Sequence, residues 1–161
     1  MKKAPDTTKA ASSAPDTAQF TVPGNLPQRK NTVTADVLAR LLNYERLTSL
    51  DGVYEASTTR LSAVAFYLAE RWGWAIQATY KAAGCVDGRV AWIVEYHLHP
   101  DAIAQAMQEG AEAWCAKVRK ARLERRKKAA QAEREAARFN AARRTAHRFT
   151  GQSSLFEGCA V

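Results

Sequence analysis

The 161-residue sequence contains little cysteine and no long uninterrupted apolar run. Its three cysteines, Cys85, Cys115 and Cys159, are too few and too scattered for a disulfide framework or a zinc site, which favours a reducing, cytoplasmic compartment. Gly, Gln, Ser and Thr interrupt the longest uncharged runs, and no apolar signal segment follows Met1. We therefore expect no association with a membrane.

Signatures of catalysis are also missing. The sequence has no glycine-rich phosphate loop, no paired carboxylates at catalytic spacing and no Ser/His/Asp arrangement. His97 and His99 fall on the same side of a predicted strand end, but only Asp101 joins them at ligand spacing, which favours a structural role over a metal site. The sequence thus predicts a protein that is not an enzyme and uses no cofactor or metal.

Positive charge is abundant and unevenly distributed. The chain has 24 lysines and arginines against 16 acidic residues, a net charge of +8. Residues 117–148 hold 13 of the basic residues and only 3 acidic ones, so this segment carries +10 and the rest of the chain −2. An excess of one sign at this density favours contact with nucleic acid over a merely solvated helix.

The chain begins with a predicted tail and continues into a helical region. Residues 1–32 are rich in Ala, Thr, Ser, Pro and Asp without a sustained period, which predicts a disordered N-terminal tail. A first helix is predicted over about 34–44, capped by Thr34. Its buried face is indicated by the spacing of Val37, Leu38, Leu41 and Leu42.

Two more helices and a β-hairpin follow. Ser49 is a good N-cap for a short second helix, and Ser57 or Thr58 for a third that ends at Gly73. From Trp74 the apolar period changes to two, and a glycine-containing loop separates the strands 74–81 and 90–98. The four tryptophans are all interpreted as core or interface residues; they are Trp72, Trp74, Trp92 and Trp114.

The pattern after Pro100 predicts a long basic helix over residues 100–149. Its length would be about 49 residues, or about 70 Å at roughly 1.5 Å per residue. Only its first third has an apolar stripe, formed by Ile103, Met107, Ala111, Trp114 and Val118. The distal part cannot build a core, and residues 150–161 are predicted to be a flexible tail. The predicted fold is mainly α with a small antiparallel β-hairpin.

Three segments of the predicted domain resemble a family of small phage and prophage helix-turn-helix proteins. They are Arg46-Leu47-Thr48-Ser49-Leu50-Asp51-Gly52-Val53, Thr58-Thr59-Arg60-Leu61-Ser62-Ala63 and Glu70-Arg71-Trp72-Gly73-Trp74-Ala75-Ile76. The resemblance implies a winged helix-turn-helix over residues 33–99 whose third helix enters the major groove. Recognition helices of this family usually carry more than one arginine, whereas this one has few, and residues 33–99 carry a net charge of −1.

A nearly neutral winged helix binds DNA weakly unless another element neutralises phosphates, and the basic helix can supply that part of the affinity. Arg60 can contact guanine bidentately, and neighbouring hydroxyls can contact phosphate. The residues expected to contact double-stranded DNA are Thr58, Thr59, Arg60 and Ser62 in the third helix, Lys81 and Arg89 in the hairpin, and Arg119, Lys120, Arg122, Arg125, Arg126, Lys127 and Lys128 in the basic helix.

The C-terminal pentapeptide Gln152-Ser153-Ser154-Leu155-Phe156 resembles the motif with which bacterial proteins bind the replicative sliding clamp. The resemblance implies that Leu155 and Phe156 fill an apolar cleft of the clamp, that the amide of Gln152 occupies a separate pocket, and that Ser154 matches the third position. Ser153 departs from the usual leucine at position two. The competing interpretation is that Leu155 and Phe156 anchor the tail on the chain's own domain.

These patterns lead to one functional hypothesis and two alternatives. The first is a DNA-binding protein of a phage or mobile element that docks on the sliding clamp in a bacterial, nucleoid-associated location and acts in or against replication. The second is a transcriptional regulator that forms a homodimer through Ile103, Met107 and Trp114. The third is a protein-interaction adaptor without affinity for nucleic acid.

Overall fold

The computed structural model describes residues 22–149, with side chains as far as residue 145. Within this range the fold is mainly α-helical with a small antiparallel sheet, as the sequence predicted. The chain divides into two compact units, Met1–Arg119 and Lys120–Val161. The elements are α1 (Val33–Leu42), β1 (Leu47–Thr48), α2 (Ser49–Tyr54), α3 (Leu61–Trp72), β2 (Gln77–Gly84), β3 (Val90–His97), α4 (Pro100–Gln108), α5 (Ala111–Arg126) and α6 (Ala129–Phe149).

The first helix forms because its apolar residues recur at helical spacing and its first turn is capped. Val37, Leu38 and Leu41 are all buried, as predicted. The cap is Thr32 rather than Thr34, since the Thr32 hydroxyl accepts a hydrogen bond from the Ala35 N–H at 3.1 Å. The predicted cap was therefore wrong by two residues, although the buried face was correct.

Three strands rather than two form the sheet. The order is β1-β3-β2, with both pairings antiparallel. The two-residue β1 pairs with β3 through Leu47 opposite Tyr96, and the hairpin register runs from Gln77 opposite His97 to Gly84 opposite Val90. Strand β2 thus begins three residues later than Trp74, the predicted start. Trp74 is 1% exposed and belongs to the core. It fits the alternating apolar pattern because its side chain is buried, although it lies before the strand.

The segment 22–32 differs from the disordered tail that was predicted for residues 1–32. Asn25 donates its N–H to the Trp72 carbonyl at 2.7 Å, and its own carbonyl accepts the Trp74 indole N–H at 2.8 Å. The carbonyl of Pro27 accepts the Trp114 indole N–H at 3.0 Å. Two buried indoles need acceptors, and this segment supplies both, which is a long-range effect that its own composition does not reveal.

Gly24 explains how closely this segment approaches α3. A Cβ atom on Gly24 would overlap the Trp72 carbonyl oxygen and would lie 2.7 Å from the Trp74 nitrogen. Only glycine permits this approach of two backbones.

The predicted single helix over residues 100–149 is three helices, so that prediction was wrong. The first break is at Gly110, whose φ of +94° is accessible to glycine at little cost and ends α4. The second is the turn at residues 127–128, where the Lys128 N–H bonds to the Arg125 carbonyl at 3.0 Å instead of continuing a regular helix. Arg125 and Lys128, three positions apart, would face each other with like charge on a continuous helix, which weakens the helix there.

The apolar stripe of the proximal region packs into the core of its own unit. Ile103, Ala111 and Val118 are at most 1% exposed, and Trp114 is 8% exposed. All four belong to one cluster with α1 and α3, against which Met107 also packs. The expectation that Ile103, Met107 and Trp114 form a dimer seam is therefore wrong for these side chains, because they are used inside the chain.

Candidate nucleic-acid interface

The start of α3 is held in place by the short helix α2 and the turn between them. Thr48 and Asp51 form a reciprocal capping box, in which the Thr48 N–H donates to the Asp51 carboxylate at 2.8 Å and the Asp51 N–H to the Thr48 hydroxyl at 3.4 Å. The Thr58 N–H then bonds to the carbonyl of buried Gly52 at 2.8 Å. These bonds fix the direction from which the chain enters α3.

One side of α3 is buried and the other is free for a ligand. Leu61 and Leu68 point into the core, while Thr59, Arg60 and Ser62 are exposed. Thr58 is half-buried, and its hydroxyl accepts the Arg60 N–H at 3.1 Å in the turn before α3, whose N-cap position is Arg60. The structure thus brings the four predicted contact residues of α3 together at one helix end.

An exposed aromatic pair on α3 extends this face. Phe66 is 67% and Tyr67 is 44% exposed. The guanidinium of Arg71 lies 5.9 Å from the centre of the Tyr67 ring, within range of a cation–π contact. Helical spacing in the sequence predicts that Tyr67 is on the exposed face of α3. It does not predict that Phe66 is exposed, because an apolar residue next to a buried position is normally assigned to the core.

Carboxylates hold both basic residues of the hairpin that were predicted to contact DNA. Lys81 donates to Glu95 at 3.2 Å, and the guanidinium of Arg89 donates to Asp87 at 2.6 Å. Glu95 also pairs with Arg46 at 3.1 Å, and these two hydrogen-bonded cations lower the pKa of Glu95. The net charge on the hairpin is therefore small, which weakens the attraction that it could exert on an anion.

The outer side of the hairpin is aromatic rather than basic. Tyr80 is 77% and Trp92 is 72% exposed, so the prediction that Trp92 is a core residue was wrong, and a role at an interface stays a prediction. An apolar groove of about 570 Å³ runs between α2 and the sheet. Its walls include Leu50, Val53 and Ile93. The alternating strand pattern alone could not have shown which of the two faces would remain open.

The basic helices carry their cations outward. Among the predicted contact residues, Arg119, Lys120, Arg125, Arg126, Lys127 and Lys128 are exposed, whereas Arg122 is 8% exposed and cannot present its whole side chain to a ligand. Every described side chain from 123 to 145 is exposed. That stretch also includes Arg134, Arg138, Arg143 and Arg144, which belong to the basic segment of the sequence but were not predicted as contacts.

Few acids balance these helices. Lys127 pairs with Glu124 at 2.7 Å. Arg134 and Arg144 each donate Nε to a backbone carbonyl four residues earlier, at 3.1 Å and 3.3 Å, which leaves their charge uncompensated. Since a carbonyl does not neutralise a guanidinium, the surface of this segment remains strongly positive.

Gln152, Ser154, Leu155 and Phe156 lie outside the described residues. Within residues 22–149 no group of His, Cys, Asp and Glu side chains is arranged to hold a metal ion, and no helix is both long and apolar enough to cross a membrane. His99 caps α4 by accepting the Asp101 N–H at 3.3 Å.

The two cysteines of the described region are free thiols. Cys115 is buried beside α1, and burial raises the pKa of its thiol above the ordinary value. A buried thiol with a raised pKa is a poor nucleophile at neutral pH.

Comparisons with protein-family models, with curated proteins and with solved structures found no match to this chain.

Proposed function

We propose that this chain is a double-stranded DNA-binding protein of a phage or other bacterial mobile element. The observation that carries the proposal is the exposed cationic surface of α5 and α6, within a segment whose net charge is +10. Neutralising DNA phosphates releases condensed counterions, so such a surface gives affinity that does not depend on sequence. A nearly neutral domain of the same chain can then add sequence preference without having to supply the phosphate affinity itself.

The arrangement of α1, α2, α3 and the β2–β3 hairpin supports a winged helix-turn-helix as that domain. The exposed end of α3 presents Thr59, Arg60 and Ser62 together, which suits entry of this end into a major groove. Arg60 is exposed and has no carboxylate partner among the described residues. We assign it the role of base recognition. Lys81 and Arg89 contribute less than the sequence suggested, because Glu95 and Asp87 already hold them.

The DNA-binding proposal is tested by fluorescence anisotropy with duplex DNA over a series of salt concentrations. Changing Arg134, Arg138, Arg143 and Arg144 together to Gln should reduce the slope of log K against log salt by up to about 3.6, because each phosphate that is no longer neutralised lowers the slope by about 0.9. Arg60→Ala should change the slope of log K against log salt by no more than about one. It should weaken discrimination between DNA sequences by about 1–3 kcal/mol.

A matched control uses acids on the same helix. Glu133→Gln with Glu135→Gln removes negative charge from α6, and we expect tighter binding at low salt. No binding at low salt, or binding that salt does not affect, would contradict the proposal and favour the protein-interaction adaptor. A footprint on a palindromic site that Arg60→Ala abolishes would instead favour the transcriptional regulator, with a dimer contact away from the buried Ile103 and Trp114.

We further propose that the pentapeptide 152–156 docks on the bacterial sliding clamp. The support is its match to the clamp-binding motif at Gln152, Ser154, Leu155 and Phe156. A short peptide of this kind binds weakly alone, and DNA binding by the same chain would raise its occupancy through effective concentration. The protein would then act in or against replication by recruiting the clamp or by blocking its cleft.

Clamp docking is tested by pull-down with purified clamp. The double change Leu155→Ala and Phe156→Ala should abolish capture, while DNA affinity stays unchanged. Ser153→Ala is the matched control, since Ser153 occupies the position where the sequence departs from the motif. Capture that survives the double change would rule out this use of the tail.

A further inference from the structure

A polar pocket of about 430 Å³ lies within the unit Met1–Arg119, on the side where the segment before α1 meets α3. Arg29 and the residues Thr32 and Thr34 at the start of α1 line one wall. Tyr67, Arg71 and Trp72, from the last turns of α3, line the other. None of the functional hypotheses drawn from the sequence uses this pocket.

The pocket concentrates positive charge without a compensating acid. Arg29 and Arg71 are both exposed, and no carboxylate of the described residues forms an ion pair with either. The pocket has no acidic lining residue among those described. Asp36, the acid in the first turn of α1, is 5% exposed and lies 3.9 Å from Arg40 instead. An anion in this pocket would therefore meet two cations and little repulsion.

Hydrogen-bond donors also favour an anion here. The N-terminus of α1 lies at this pocket, because Thr32 and Thr34 line it. The N–H groups of the first turn and the helix dipole favour negative charge there. The ring of Trp72 lines the same pocket, and its indole N–H is buried, so this N–H reports on the pocket without facing it.

The size and aromatic content of the pocket indicate what accompanies the anion. A volume of about 430 Å³ falls within the range of about 300–1,000 Å³ that is typical of small-molecule sites. A phosphate alone would leave much of this space empty. The half-exposed ring of Tyr67, with Arg71 at 5.9 Å, offers a surface on which a base can stack.

We propose that this pocket binds the phosphate group of a nucleotide. Arg29 and Arg71 neutralise the phosphate, the first turn of α1 donates hydrogen bonds to it, and Tyr67 contacts the adjoining base or sugar. The phosphate can belong to a free nucleotide or to a DNA backbone. In the second case the inference rests on the proposed DNA-binding function, because the pocket would then extend the footprint of α3 by one backbone contact.

The test follows the indole N–H signals of the full ¹⁵N-labelled chain by NMR, with Trp72→Phe to assign the Trp72 signal. The probes are deoxyadenosine monophosphate, unphosphorylated deoxyadenosine and a short DNA duplex. We expect a saturable shift of the Trp72 signal with a phosphate-bearing probe and none with deoxyadenosine. Arg29→Ala and Arg71→Ala should each raise the Kd of that probe about tenfold, as expected when a charge-assisted hydrogen bond is removed. Arg71→Lys keeps the charge and should retain most of the affinity.

The outcomes separate the two sources of phosphate from failure of the proposal. A response to the mononucleotide supports a free-nucleotide site whether or not the chain binds DNA. A response to the duplex alone, weakened by Arg71→Ala, supports a backbone contact. Duplex binding that leaves the Trp72 signal and the Arg71→Ala affinity unchanged overturns the pocket proposal while the DNA-binding proposal stands. No shift with any probe also overturns it.

Discussion

Glu95 illustrates how one side chain changes the character of a surface. It lies on β3 with 11% of its side chain exposed, and its two carboxylate oxygens accept hydrogen bonds from Arg46 and Lys81. The three side chains together therefore carry a net charge of about +1, whereas the two cations alone would carry +2. Lys81 is 14 positions earlier on the neighbouring strand, so only the strand register reveals this pairing.

This pairing predicts a pH dependence of stability. The pKa of Glu95 is lowered in the folded state, so the contribution of its carboxylate is present above the unfolded value of about 4.3 and is lost as the pH falls through the lower folded value. Glu95→Gln should therefore lower Tm at pH 7, and the difference from the parent should shrink as the pH falls below about 4. Thermal denaturation followed by circular dichroism at several pH values measures this.

A control for the same prediction lies at the tip of the hairpin. Asp87→Asn removes an ion pair whose two side chains are 51% and 79% exposed, and we expect little change in Tm at any pH. A Tm difference between Glu95→Gln and the parent that stays constant from pH 7 into acid would show that the carboxylate charge is not the cause.

At the scale of elements, helix starts are decided by which side chain reaches the first free N–H groups. The sequence offered Thr34, Ser49, and either Ser57 or Thr58 as caps of the three helices. The structure uses Thr32 for α1 and Thr48 for α2, and α3 begins after Arg60 without a side-chain cap, so all three predicted caps were wrong. Ser and Thr are chemically similar, so composition cannot choose between neighbours one or two residues apart. The choice depends on the backbone direction at which the preceding segment arrives, which tertiary contacts fix.

The α2 cap gives a direct test of that difference. Thr48→Ala removes the hydroxyl that accepts the Asp51 N–H and donates to the Asp51 carboxylate at 2.7 Å, and it should cost about 1 kcal/mol of unfolding free energy. Ser49→Ala, at the neighbouring exposed position, should cost much less. Urea denaturation of both variants measures the two values, and the reverse ranking would show that Ser49 is the true cap.

At the scale of the whole molecule, burial and charge are separated along the chain. The core cluster contains residues of the unit Met1–Arg119, whereas the described side chains from 123 to 145 are all exposed. Helix α6 is therefore stabilised mainly by its own backbone hydrogen bonds and its alanine-rich sequence, and such helices are marginal in water without packing.

Hydrogen exchange should report this separation. Amide protons of α6 should exchange far faster than those of α1, whose protection should approach the global unfolding free energy. Duplex DNA should slow exchange in α6 if its cations bind phosphate, and an excess of salt should reverse that protection. Protection in α6 equal to that in α1 without DNA would mean that α6 packs against another surface.

The sequence by itself determined that the chain is mainly helical with a small antiparallel sheet, which face of each proximal helix is apolar, and where the positive charge lies, because periodicity and composition are local properties. Only the tertiary structure decided that residues 22–32 supply acceptors to two buried indoles, that β1 joins the sheet, and that carboxylates hold Lys81 and Arg89. It also divided the long helix at Gly110, whose φ of +94° ends α4. Most of these features depend on contacts between residues far apart in sequence. A local sequence pattern does not show which distant residues will be in contact in the fold.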